Sequence, residues 1–269
     1  MKALFYIPTL LFLFSVSFGF SQRNYHCPEE ECDFQPGEQV FVFGNKVKLR
    51  SAPKIESKVL ELLRIGEWVE IIEKTEFSWP YKGYDSPFYK VKYDTVEGYI
   101  LGGLLSLKKK TIADSDYFFA FSKEGENHSL NIRQLIHGKY SEQKVPLSHA
   151  NISIDFLGNR GMYDLDDILY INYHSVVDGN EGGGIYFFAQ DNTLHQIGQL
   201  SGISSSTTLK QSERFIFPKD EHGIPDTILY RKQRAEILDE TSEWVQSSTE
   251  TRKFQWLEGK LTPNFHQKR

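Results

Sequence analysis

Beyond residue 22 the chain seldom repeats apolar residues at helical spacing. Short runs rich in Val, Ile, Phe and Tyr recur instead, and they stop at clusters of Gly, Pro, Asn and Asp. This rhythm predicts strands and turns, and therefore an all-β protein. Five runs form a first series: Gln39 to Phe43, Val47 to Arg50, Trp68 to Glu73, Phe88 to Tyr93 and Gly98 to Leu101. In the second run Val47 and Leu49 alternate with Lys48 and Arg50, so one face enters a core while the other stays wet. A second series starts at Tyr117 to Phe121, passes through Leu130 to Ile136, Ile152 to Phe156, Ile168 to Tyr173, Ile185 to Ala189 and Leu194 to Gly198, and ends near Leu257. Its later runs, Thr227 to Arg231, Arg234 to Leu238, Trp244 to Ser247 and Lys253 to Leu257, are short and separated by polar residues.

Between the two series lies Lys108-Lys109-Lys110-Thr111-Ile112-Ala113-Asp114-Ser115, which reads as a domain boundary with solvated lysines. A chain of 269 residues exceeds the commonest size of one domain, which favours two modest ones. The expected organisation is a segment 1–21, an N-terminal arm 22–36, a small barrel 37–107 and a second β-rich domain 112–265, built as a sandwich or a meander.

Residues Met1 to Ser21 begin with one lysine, continue as an apolar run and end on small residues, the layout of a secretory signal peptide. The run contains Pro8 and several hydroxyl residues and is softer than the roughly twenty strongly apolar residues a spanning helix needs. The reading is therefore an exported chain, periplasmic or secreted, with no membrane span after cleavage. Loss of Lys2 would make the formal charge of −5 one unit more negative, which argues against nucleic acid as a partner. The two cysteines, Cys27 and Cys32, follow the leader closely. In an oxidising compartment they can close a small disulfide loop, whereas a structural zinc site would need four ligands.

The ordered pieces Gly44-Asn45-Lys46-Val47-Lys48-Leu49-Arg50-Ser51-Ala52-Pro53, Ser57 to Leu63, Gly66 to Ile72, Phe88 to Val91 and Glu97 to Ile100 with Leu104-Leu105 resemble the bacterial SH3 (SH3b) family. The resemblance covers residues 37 to 107. It implies an SH3-like barrel and, by analogy with SH3b modules of envelope proteins, binding of cell-wall glycan or its peptide stems. Lys48 stands where the family commonly has Asn, and Ala52 where it commonly has Gly. Arg50 is a candidate ligand contact or a structural residue of the family.

A longer insert, Thr75 to Pro87, separates the middle strand from the Phe88 strand, and it carries Phe77, Trp79, Tyr81 and Tyr84. As an exposed loop it would offer large aromatic contact area to a sugar ring or an extended peptide; alternatively, the rings fold back onto the barrel or the second domain.

The second series resembles no family. Asp164, Asp166 and Asp167 precede an apolar run and faintly suggest calcium, which takes about six to eight oxygen ligands, but they lack the full alternating pattern. Gly182-Gly183-Gly184 reads as a hairpin loop, since a strand-like run and not a helix follows it. The histidines are scattered, with no His-Glu-x-x-His motif, and the cysteines lie in an acidic segment that would disfavour a reactive thiolate. The expectation is a non-enzyme without a cofactor. The partner is cell-wall glycan or peptide, or an envelope protein contacted through the second domain.

Overall fold

The computed structural model describes residues 33–174, 181–204, 209–239 and 244–265. The leader 1–21, most of the arm and both Cys27 and Cys32 lie outside the described residues. Apart from a 3-10 turn at Gly102–Leu104, every regular element among the described residues is a strand, as the alternating pattern requires.

The first six strands are β1 (Gln39–Phe41), β2 (Val47–Arg50), β3 (Val59–Leu63), β4 (Trp68–Tyr81), β5 (Tyr84–Tyr93) and β6 (Val96–Leu101). They form one antiparallel sheet in the order β1-β4-β5-β6-β2-β3. Val40 from one edge strand and Leu63 from the other share a core with Leu49, Val69, Val91 and Ile100, so the sheet curls around its own inner face. The edge closes further where Val42 bridges to Leu105 and donates its N–H to Glu67 O at 2.7 Å. Phe34 belongs to this core, meeting Tyr89 edge-on at 5.4 Å, while Asp33 accepts the Tyr89 hydroxyl at 2.9 Å. The chain is thus committed to this unit before residue 37.

Four strands follow: β7 (Lys109–Ile112), β8 (Ser115–Glu124), β9 (Asn127–Ile136) and β10 (Lys139–Leu147), in the order β10-β9-β8-β7. The remaining eight are β11 (Ile152–Phe156), β12 (Asp167–Tyr173), β13 (Glu181–Gln190), β14 (Thr193–Ser204), β15 (Leu209–Ile216), β16 (Ile228–Asp239), β17 (Trp244–Leu257) and β18 (Lys260–Thr262). Each pairs with its neighbours in sequence, so this sheet is a meander.

The two sheets stack as a sandwich. Phe119, Leu130 and Val145 from the smaller sheet meet Ile154, Leu169, Ile171 and Phe187 from the larger in one core. On the other face of the meander, Ile168, Tyr186, Phe188, Phe217, Phe254 and Trp256 form a second core. Strands β12 and β13 are therefore covered on both faces, which explains their continuous apolar runs Ile168-Leu169-Tyr170-Ile171 and Ile185-Tyr186-Phe187-Phe188. Burial drives the Tyr186 hydroxyl pKa far up and pushes Tyr170 to about 12.

Several sequence expectations need correction. The three lysines are not a solvated linker: Lys109 and Lys110 lie in β7, and all three are half-buried. Lys108 donates to Ile154 O at 2.7 Å, Lys109 pairs with Asp116 at 3.0 Å, and Lys110 pairs with Asp167 at 3.4 Å. Long methylene stems let such side chains cover apolar edges while the ammonium finds a partner. Gly182-Gly183-Gly184 is not a loop but the start of β13, paired with Leu200 to Gly202 of β14. A Cβ at Gly184 would collide with Ile171 O and the Tyr170 ring, so the glycines permit close strand approach. The paired short runs after residue 227 join into the two long strands β16 and β17.

Candidate functional site: an aromatic arm between the two units

The Thr75 to Pro87 insert is not a loop. It extends β4 and β5 as a hairpin beyond the curled sheet, with Trp79 opposite Ser86 and Tyr81 opposite Tyr84. The two residues between, Lys82 and Gly83, have φ of 52° and 83°, the left-handed pair that a tight hairpin turn demands. Register shifts between Ile71/Glu73 and between Lys74/Ser78 separate the arm from its root. Within the second irregularity the Thr75 hydroxyl donates to Phe88 O at 2.9 Å and accepts the Phe77 N–H at 3.3 Å, satisfying backbone groups that the ladder leaves out.

Cross-strand partners share a face, so Trp79 with Ser86 and Tyr81 with Tyr84 line one side of the hairpin. Phe77 precedes Trp79 by two positions, a step of roughly 7 Å along an extended strand. The rings then divide. Phe77 is 54% exposed and Trp79 46%, whereas Tyr81 and Tyr84 are half-buried. This division answers both readings of the insert, since one pair faces solvent and the other packs.

The packed pair fixes the arm to its surroundings. Lys123 in β8 donates its backbone N–H to Lys82 O at 2.7 Å. Tyr84 Oη lies 2.7 Å from His128 Nδ1, and its ring sits 6.4 Å from that of Phe121. Tyr81 covers Gly103, where an added Cβ would come within 2.7 Å of the ring; the Gly103 N–H in turn donates to Ser86 Oγ at 2.7 Å. Burial raises the Tyr81 pKa, countered by the Arg133 charge and reinforced by Glu142, so this phenol stays neutral.

The same region joins the two units. Phe43 and Ile65 from the curled sheet pack with Phe118 and Ala120 of β8. Arg133 donates to Phe43 O at 2.6 Å, stacks over the Phe43 ring at 4.4 Å and pairs with Glu142 at 2.6 Å. An arm held at root and tip lowers the entropic cost of ordering its exposed rings at the moment of binding.

The other sequence candidates lie elsewhere. Arg50, expected with Lys48 on the wet face of β2, is instead buried; β5 and β6 lie between it and the arm's strand β4, and it donates to Ser57 O at 3.1 Å. Asp164, Asp166 and Asp167 do not converge on one point. Asp167 Oδ1 accepts the N–H groups of Gly158 and Ile168, both at 2.8 Å, Asp166 accepts the Asp191 N–H at 3.1 Å, and Asp164 is exposed. Among the described residues no group of three or more His, Cys, Asp or Glu side chains gathers as a metal site. No helix among them is long and apolar enough to cross a membrane.

Sequence reasoning did not identify Lys123, Phe121 and His128 as the arm's seat. The sequence Tyr81-Lys82-Gly83-Tyr84 carried half the signal, since aromatic residues flanking an x-Gly pair mark a hairpin. Nothing local to His128 announces a contact 44 positions away. Comparison of the chain with protein-family models, with curated proteins and with solved structures returns no match.

Proposed function

We propose that this is an exported, non-catalytic binding protein whose SH3b-like N-terminal unit recognises a cell-envelope ligand, either peptidoglycan glycan or its stem peptide. The observation that carries the reading is the pair of half-exposed rings, Phe77 and Trp79, held on a braced hairpin. Large rings exposed without a partner lose the benefit of burial, and a fold keeps them most readily where a ligand supplies it. A flat ring suits the apolar face of a sugar, and the spacing of two rings along a strand suits a linear polymer. Arg50 has a structural role in this reading, because its guanidinium is spent on Ser57.

The test is retention on purified peptidoglycan. Wild-type protein should sediment saturably with it, and Phe77→Ala/Trp79→Ala should lose at least about tenfold in apparent affinity while keeping its melting temperature within a few degrees. Unchanged retention of the double variant removes the aromatic site.

A second reading, an envelope scaffold acting through the C-terminal sheet, is favoured by β17. From Trp244 to Phe254 this strand pairs with β16 on one side, and among the described residues its other edge is taken by β18 only from Gln255 onward. An open edge of that length can accept an extended strand from another protein. Crosslinking from β17 that captures one protein, together with no retention on peptidoglycan, would favour this reading over the first.

A further inference from the structure

A second concave site lies where the four-stranded sheet meets the β13–β14 turn, and none of the arm's residues lines it. The cleft has a volume of about 210 Å³. At roughly 30 Å³ per water this is the space of about seven water molecules, the size of one sugar ring and too small for a drug-sized ligand.

Its floor is apolar, made by Ile132 and Leu194, which belong to the sandwich core or pack against it. Its walls are amides and hydroxyls. Gln134 is set in place by contacts from its Nε2 to Ser115 Oγ at 3.0 Å, Tyr117 Oη at 3.0 Å and Asn192 O at 2.5 Å. The Ser115 hydroxyl donates onward to Asn192 Oδ1 at 2.8 Å. The inner wall is thereby pre-organised by residues from β8, β9 and the β13–β14 turn. Gln143 and Ser141, opposite Ile132 and Gln134 in the β9–β10 register, add an amide and a hydroxyl on the same face of the sheet.

Charge is what the cleft lacks. Glu142 also borders it, but its carboxylate is held by Arg133 at 2.6 Å. Burial raises the Tyr117 pKa, so that group presents an O–H and not a phenolate. A phosphate, a carboxylate or an ammonium would enter this space without a counter-charge, which is costly. A neutral ring with an apolar face and several hydroxyl or amide groups would satisfy both floor and walls.

We propose that this cleft is a binding subsite for a single neutral, polyhydroxylated ring, a monosaccharide unit. The inference stands apart from the aromatic arm, and its test separates the two. Saturation-transfer NMR with N-acetylglucosamine, glucose and glycine as probes should show transfer from the protein to at least one sugar and none to the zwitterion. Gln143→Trp, which fills the cleft from its rim, should abolish that transfer. Gln134→Ala should weaken it by about tenfold through loss of wall hydrogen bonds, with amide spectra confirming the fold. Trp79→Ala should leave it unchanged. Transfer to neither sugar, equal transfer in wild type and Gln143→Trp, or preferential transfer to glycine overturns the assignment.

Discussion

The arm at the ends of β4 and β5 and the ribbon at the far ends of β15, β16 and β17 both carry paired strands past the cores that root them, yet different side chains cover them. The arm holds four aromatic residues within eight positions, two facing solvent and two pressed on its seat. The body of the ribbon has none between Leu209 and Arg214, Arg231 and Glu236, or Val245 and Thr251, with Trp244 at the start of β17; every residue from Val245 to Thr251 is exposed. Its order comes from polar links: Glu213 pairs with Lys232 at 3.0 Å and accepts the Ser201 N–H at 3.1 Å, and Arg234 pairs with Glu236 at 3.0 Å. The body of a protruding hairpin therefore forms without exposed rings along its length. The rings on the arm call for another reason, and that contrast supports the binding reading.

The contrast breaks first at the turn. Gly83, at φ of 83°, lies against the Lys123 carbonyl, so Gly83→Ala must both strain the backbone and push the tip from its seat. Gly138, at φ of 76°, has open space around its missing Cβ and serves as control. We expect Gly83→Ala to cost about 3 kcal/mol and Gly138→Ala about 1 kcal/mol in denaturant unfolding, the first combining φ strain with a backbone clash. Equal costs would mean that the tip carries no force between the units.

The ribbon should answer to pH through Glu213. Burial pushes the Glu213 carboxyl up, but the Ser201 N–H, the Lys232 ammonium and the Tyr230 hydroxyl outweigh it and hold the group below its ordinary 4.5. A depressed carboxyl stabilises the folded state above its unfolded pKa, and that contribution is lost as pH falls through the folded value. Amide protection factors in β15 and β16, each referred to the intrinsic exchange rate at the same pH, should fall on acidification below 4.5, ahead of those in β12 and β13. Glu213→Ala should remove this acid dependence and cost about 2 kcal/mol at neutral pH through lost charge-assisted bonds.

How legible each region was follows from the same chemistry. The doubly covered strands β12 and β13 stood out as unbroken apolar runs, and Val47/Leu49 marked one face of β2, because burial dictates residue type there. Strands β10 and β15 and most of β17 are wet on at least one face, and their Lys, Glu, Gln, Ser and Thr carry little period-2 signal. Thus nothing in the sequence sets the outer strand Lys139–Leu147 apart, and Ile228–Asp239 looks like two short runs. The lysines at 108–110 misled because ammonium groups at an interface look in sequence like those in a linker. At the arm, the aromatic content was visible, but which rings would be seated depends on Lys123 and His128, partners that only the fold brings near.

A smaller effect tests the seat itself. Tyr84→Phe keeps the ring against Phe121 and removes only the hydroxyl 2.7 Å from His128. The cost should be about 1 kcal/mol, the value of one partly buried hydrogen bond. His128→Ala in the Tyr84→Phe background should then add less than it does in wild type, since a double-mutant cycle isolates the pair. Additive costs would show that the two groups do not couple.

The smallest change in stability should come with the largest change in function. Trp79 is 46% exposed and sits on the braced arm without contributing to any of the four buried clusters. Trp79→Ala should therefore cost about 1 kcal/mol or less, while retention on peptidoglycan falls sharply. Trp79→Phe separates contact from folding more finely: a smaller ring in the same place should keep part of the retention that alanine loses. Gly83→Ala supplies the opposite case, with the rings intact but their support loosened, and it should weaken retention because ordering the arm is then charged to binding. If Gly83→Ala binds as wild type does while Trp79→Ala does not, the rings matter and their bracing does not. The arm would then resemble the ribbon in mechanics and differ from it only in side chains.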